Sequence, residues 1–284
     1  MPHVFQRIVQ VRAGPPGEPG RMFGNPDGGG SGLHVQFNTN AGDTGRPAEC
    51  TLTLFNLSPE SVGLLDARTN VVQLRVGHEN HGIQTIFVGN PAPETLVVNK
   101  QGGDWLTRVV IRDGGYAYDH SRLNISLAGQ TTGRQVLDAI LAATGLGEGQ
   151  VDLGTVRWPN RYVFSGKARD ALDDLVEAIG PTYRWFIRKG DVYILDRTQT
   201  TPETAPRFAS ELGNLVGSPE PVEGGGIKFT GILDAGVGVG QVVRVESSRI
   251  SGWYKVVEVN FSGDNMGGAF YVIPKCVKYR TVED

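Results

Sequence analysis

The side chains that could do chemistry are few and scattered. His78, Glu79, Asn80 and His81 come nearest to a metal motif. An HExxH helix sets its histidines four apart so that both reach one ion from one face. Here they are three apart, in a stretch read as a turn between strands, and a solvated turn is the expectation. Asp170, Asp173, Asp174 and Glu177 recur at helical spacing and form an acidic stripe. No second acidic segment answers it, so it reads as a solvated helix face. Gly236, Gly238 and Gly240 imitate a phosphate-cradling loop, but such a loop runs from a strand into a helix, and residues 241–245 read as a strand. No GK[ST] ending follows, and no Gly-x-Ser-x-Gly elbow occurs. Cys50 and Cys276 fall in strand-like segments without a Cys or His at ligand spacing. They read as free, buried, small apolar residues, with one long-range disulfide as the alternative. These observations predict no catalytic residue, no metal, no cofactor and no enzyme.

The elements around these residues are mostly strands. Residues 33–38 place Leu33, Val35 and Phe37 on one face, and residues 49–57 alternate Cys50, Leu52 and Leu54 with Thr51, Thr53 and Phe55. Ser58-Pro59-Glu60 is a helix start: a capping hydroxyl, a proline at the first helical position and an acid near the positive helix end. Residues 71–78 and 83–89 form a hairpin. In the middle the period changes. Thr131 or Thr132 caps a helix carrying Val136, Leu137, Ile140 and Leu141, with Gly145 as its stop. A second helix is predicted from Ser165, carrying Ala171, Leu172, Leu175 and Val176 and stopped by Gly180-Pro181. A hairpin over 183–196 follows, and strands resume after a polar linker at 198–206. The predicted fold is mainly β: two β-barrels, 1–118 and 201–284, flank a small α+β domain at 119–200. Leu52, Leu54, Val76, Phe87, Leu172, Leu175, Val245 and Val257 are the predicted core.

Residues 14–32, rich in Gly and Pro, read as a mobile loop between two strands. Met22 and Phe23 are its strongly apolar residues, and Phe23 is expected to anchor in a partner's pocket. Trp253 is the third candidate interface residue, because an exposed ring in a strand marks a contact. Trp105, Trp158 and Trp185 read as core.

Formal net charge is −3. Acidic side chains equal or outnumber basic ones in each of the three blocks, which argues against tight nucleic-acid binding and against a basic membrane-surface patch. No apolar run approaches the roughly 18 residues of a membrane span, and the N-terminus lacks a signal pattern. The expectation is no membrane insertion and a chain that stays where it is made, with reduced thiols.

Four segments resemble the baseplate hub proteins of phage tails, which are related to the hub part of type VI secretion VgrG proteins. They are AECTLTLFNL at 48–57 before Ser58-Pro59-Glu60, VVQLRVGHENHGIQTIFVG at 71–89, the unit at 162–196, and residues 240–279 with GQVVRVES and SGWYKVVEVNFSGD. The resemblance implies two tube-like barrels per chain and a homotrimer. Its six barrels would ring a channel, with a tail tube or distal tail protein on one side and a central spike on the other. The tape-measure protein and DNA would pass through without specific binding. It also implies a virion location at the tail baseplate after assembly in the bacterial cytoplasm. No needle or lysozyme domain follows Asp284, so the spike would be a separate protein. Two alternatives stand beside this reading: a tail-associated receptor- or carbohydrate-binding β module, and a cell-wall hydrolase.

Overall fold

The computed structural model describes residues 7–25, 32–79, 82–115 and 121–279. The first third contains β1 (Arg7–Gly14), β2 (Arg21–Gly24), β3 (Val35–Gly42), β4 (Glu49–Phe55), helix α1 (Pro59–Asp66), β5 (Val71–His78), β6 (Gly82–Pro91), β7 (Val97–Gln101) and β8 (Asp104–Arg112). Alternation makes these strands one-sided. Val35, Phe37, Cys50, Leu52, Leu54, Val72, Leu74, Val76, Val109 and Ile111 all turn into one core. The start signal of α1 works as read, since the Ser58 hydroxyl accepts the Ser61 N–H.

The middle third contains β9 (Arg122–Ala128), β10 (Thr131–Thr132), α2 (Gly133–Thr144), β11 (Gly147–Val151), β12 (Arg157–Trp158), β13 (Arg161–Lys167), α3 (Ala168–Ile179), β14 (Tyr183–Arg188) and β15 (Asp191–Asp196). A capping box joins Thr132 to Gln135 at the start of α2, and Gly145 ends that helix at φ +70°. Helix α3 starts at Ala168, not at Ser165, because residues 161–167 alternate and pair antiparallel with β9. Ser165 is a strand residue opposite Asn124. A second core packs α2 and α3 on the inner face of the β9–β13 ribbon.

The last third contains β16 (Arg207–Ala209), β17 (Leu215–Val222), β18 (Gly226–Ile232), β19 (Val242–Glu246), β20 (Ser251–Asp264) and β21 (Phe270–Lys278). Antiparallel pairing of β20 with β3, from Glu258 opposite Gly42 to Asp264 opposite Gln36, joins the last third to the first. The two predicted barrels therefore form one 14-stranded sheet over a shared core.

Two expectations need correction. Val257 is half-buried. A register shift between Val256 and Glu258 slips the alternation there, and Val256 and Val259 face the core instead. The predicted loop is shorter than expected: β1 continues to Gly14, residues 15–20 form an exposed turn, and β2 returns antiparallel with Phe23 opposite Val11. The glycines serve close backbone approach here. A Cβ on Gly14 would lie 2.7 Å from Gly20 Cα, and one on Gly24, at φ +99°, would lie 2.0 Å from the Val9 carbonyl oxygen. Residues 26–31 of the predicted loop lie outside the described residues.

The β14–β15 hairpin ties the two cores together. Phe186 and Leu195 belong to the large core, while Trp185, Ile187, Val192 and Ile194 belong to the small one. At its turn the N–H groups of Lys189 and Gly190 donate to the Asp113 carboxylate at 2.7 and 2.9 Å. Asp113 is 2% exposed. Burial pushes its pKa up to about 7, against the lowering pull of those N–H groups.

Candidate interaction surfaces

The residues with apparent chemistry are structural. His78 is buried on β5, its ring edge-on to Phe270 at 5.1 Å. Glu79 is exposed; Asn80 and His81 lie outside the described residues. Three N–H groups of the 236–240 loop, those of Gly236, Val237 and Gly240, are spent on the protein itself. Gly236 donates to Asp234 Oδ1 at 2.8 Å and Gly240 to the Val256 carbonyl at 2.9 Å. Gly238 admits Arg188, whose guanidinium donates to the Val239 carbonyl at 3.2 Å. The loop buttresses the β14–β15 hairpin, and a phosphate would find these donors occupied. Cys50 and Cys276 are free and buried, and burial pushes both thiols up. The acidic stripe lies on the outside of α3, where Asp173 accepts the Trp185 indole N–H at 2.7 Å. Among the described residues no three His, Cys, Asp or Glu side chains stand together as metal ligands.

The outer face of the sheet where its two halves meet draws on both ends of the chain. Gln36, Asn38 and Asn40 on β3 alternate away from the core. Register places Thr51 beside Asn38 on one side, and Asn260 and Ser262 beside Asn40 and Asn38 on the other. Asn260 Nδ2 donates to Asn38 Oδ1 at 3.1 Å, and Gln36 Nε2 donates to Asp264 Oδ2 at 2.8 Å. Burial raises the Asp264 carboxyl, but hydrogen bonds from Gln36 and His34 outweigh it, so its pKa ends below the usual value. The face is hollowed twice. A groove of about 340 Å³ lies over Gln36, Asn38, Thr51, Ser262, Arg108 and Asp264, and a cleft of about 710 Å³ begins at Asn40. The cleft is lined by charges of both signs, Arg46, Arg112, Arg169 and Lys275 with Asp43, Glu49 and Glu258. Arg112 meets Glu49 at 2.9 Å, and Lys275 stands beside Glu258 across β21 and β20.

Exposed apolar side chains lie elsewhere. Trp253 on β20 is 36% exposed, with the Arg244 guanidinium 5.2 Å over its ring. Met22 is 43% exposed. Phe23, next to it, is 4% exposed and packed in the large core, so the expected outward anchor is a core residue. Strand alternation turns one of two adjacent apolar residues in and the other out. Sequence reading missed β7, which is exposed along its length and pairs with β8. It also assigned Trp105 to the core, but Trp105 is 51% exposed, with Lys100 Nζ 5.7 Å over its ring. Its signal was the position two residues after Gly102-Gly103, at a hairpin tip.

No protein-family model matches the chain, and no curated protein matches its sequence. Solved structures match along almost its whole length. The 43 kDa tail protein of prophage MuSo2 from Shewanella oneidensis superposes with a TM-score of 0.66 at 11% identity, covering 96% of this chain and 98% of that one. A tail protein from Neisseria meningitidis gives 0.64 at 10% identity, covering 96% and 97%. The E. coli c3393 protein, a component of the type VI secretion system with structural similarity to the T4 tail proteins gp27 and gp5, gives 0.57 at 12% identity, covering 87% and 74%. The chain has the fold of phage tail proteins and of a type VI secretion component, as the four sequence segments implied.

Proposed function

We propose that this chain is a structural component of a phage tail, the baseplate hub: a homotrimeric ring that joins the tail tube, or a distal tail protein, to a central spike. The observation that carries the reading is the hollowed face across β4, β3 and β20. It is a broad surface shared by both halves of the sheet, lined with amides, hydroxyls and charged side chains of both signs. Three copies would present six such half-sheets around one opening, which matches a six-fold tube on one side and a three-fold spike on the other. Beside its amides and hydroxyls the face carries cations interspersed with acids: Arg108 with Asp264 in the groove, and Arg112 on Glu49 and Lys275 beside Glu258 in the cleft. Mixed signs of this kind hold a polyanion less than clustered Lys and Arg do. The fold match over nearly the whole chain supports the same reading.

Free strand edges support ring formation. β17 ends the sheet path, and the side of β7 away from β8 has no strand partner among the described residues. Edges of this kind pair with other chains unless they are covered. The exposed Met22 and Trp253 are proposed contacts to neighbouring tail proteins. The hub would act in the virion, at the tail baseplate, after assembly in the bacterial cytoplasm, and without catalysis, cofactor or membrane insertion. Light scattering on the purified chain is expected to give a mass of three subunits. A monomer at every concentration, together with tails that contain no ring of this protein, would overturn the reading.

A further inference from the structure

The α+β unit carries two charged faces that cannot meet within one molecule. The ribbon of β9 and β13 turns Leu123, Ile125 and Tyr162 inward, onto the core that also holds Ala171, Leu172 and Leu175 of α3. Its outer face presents Arg122 and Lys167 at one end and Arg161 at the other, with Asn124, Ser126, Ser165 and the 60% exposed Val163 between them. Lys167 stands directly opposite Arg122, a cross-strand pairing of like charges that costs stability unless an anion lies against it. Among the described residues none of these three cations forms an ion pair.

The opposite charge is on α3. Asp170, Asp173, Asp174 and Glu177 lie on the side of the helix away from its buried stripe. Asp170 is paired with Arg169 at 2.9 Å and Asp173 is held by Trp185, but Asp174 and Glu177 meet no cation among the described residues. Partial burial and the neighbouring Glu177, Asp170 and Asp173 charges push the Asp174 carboxyl up. The basic face thus points away from α3, and the acidic face points away from the core that α3 shares with the ribbon. Their sizes agree: a seven-residue strand is about 23 Å long and a twelve-residue helix about 18 Å.

We infer that the outer face of the β9–β13 ribbon is a contact between copies of this chain, taking the acidic face of α3 from the neighbouring copy. Two different, complementary patches make a head-to-tail contact, the kind that closes into a ring. The inference rests on the hub reading for its ring and adds the surfaces that meet.

The test uses sedimentation of the full chain at low and high salt, with paired charge reversals at exposed positions. Ribbon reversal (Arg122→Glu with Lys167→Glu) and helix reversal (Asp174→Lys with Glu177→Lys) should each weaken self-association about tenfold or more, since like charges then face each other. The fourfold variant carrying both reversals should regain it. Circular dichroism checks that each variant keeps its fold. Unchanged association in either reversal, or no recovery in the fourfold variant, overturns the contact. So does a ribbon reversal that loses retention of duplex DNA while still self-associating, which would make a nucleic acid the partner. A wild-type ring of three that survives both reversals removes this contact and leaves the hub reading standing. A two- or four-chain particle broken by either reversal supports the contact and contradicts the hub.

Discussion

The sheet junction and the β9–β13 ribbon are built from the same alternating pattern, yet their outer faces differ in kind. At the junction the outward positions of β3 and β20 include Gln36, Asn38, Asn40, Asn260 and Ser262, with Asn260 donating to Asn38 and Gln36 to Asp264. On the ribbon Arg122 and Lys167 stand at one end and Arg161 at the other, with Asn124, Ser126, Val163 and Ser165 between them, and none of the three cations forms an ion pair among the described residues. Both inner faces are closed by aliphatic packing, so stability does not dictate the contrast. A polar face whose charges are mixed in sign suits material that must slide past it. A charged, unneutralised face suits something that must stop on it.

The comparison can be broken first through the cores that hold the two faces. Phe23→Ala should destabilise the chain by about 3–5 kcal/mol in urea titration, the cost of emptying a buried ring site. Met22→Ala, one residue earlier, should stay within about 0.5 kcal/mol. Near-equal effects would mean that β2 does not dock as described. Leu54→Ala, under the junction face, should cost about 2–5 kcal/mol.

Asp113 sharpens the comparison at the seam between the two regions. Its folded pKa of about 7 lies above the ordinary 3.8, so the folded chain holds a proton there that the unfolded chain releases. This contribution to stability is full below the unfolded value, and it is lost as pH rises through about 7. Relative to an Asp113→Asn variant, the wild type should therefore lose stability from pH 4 to pH 8, followed as the urea midpoint at each pH. Parallel profiles would contradict the buried carboxylate. Smaller still is Thr132→Ala, which removes the capping box of α2 for about 1 kcal/mol. Least is Asn38→Lys, expected within about 0.5 kcal/mol in stability because the side chain is exposed. Its effect should appear instead as slowed DNA release from assembled tails, the functional half of the contrast.

Local chemistry was legible in the sequence wherever it acts over a few residues. Ser58 and Thr132 cap as read, Gly145 and Gly180 stop their helices, and the alternation of Cys50, Leu52 and Leu54 fixes the buried face of β4. What misled was context. Ser165 is a good helix-capping type, but pairing with Asn124 on β9 extends the strand past it. Val257 fits the alternation, yet a bulge opposite β21 slips the phase. The glycines at 14–24 look like flexibility in one dimension and are close backbone approach in three. The pairing of β3 with β20 joins residues 222 apart, as in the Asn260–Asn38 hydrogen bond, and no local pattern announces it. The candidate junction face was invisible for that reason: half of it comes from each end of the chain. The charges of the ribbon and of α3 could be read, but not that their faces point apart.

The central claim is that the Asn- and Gln-lined junction face borders a passage. Electron cryo-microscopy of the assembled tail, at a resolution that places strands, tests it directly. The account predicts a ring of three chains with Asn38 and Asn260 facing the central opening. A ring with that face turned outward, or a tail in which this chain forms no ring, would contradict it.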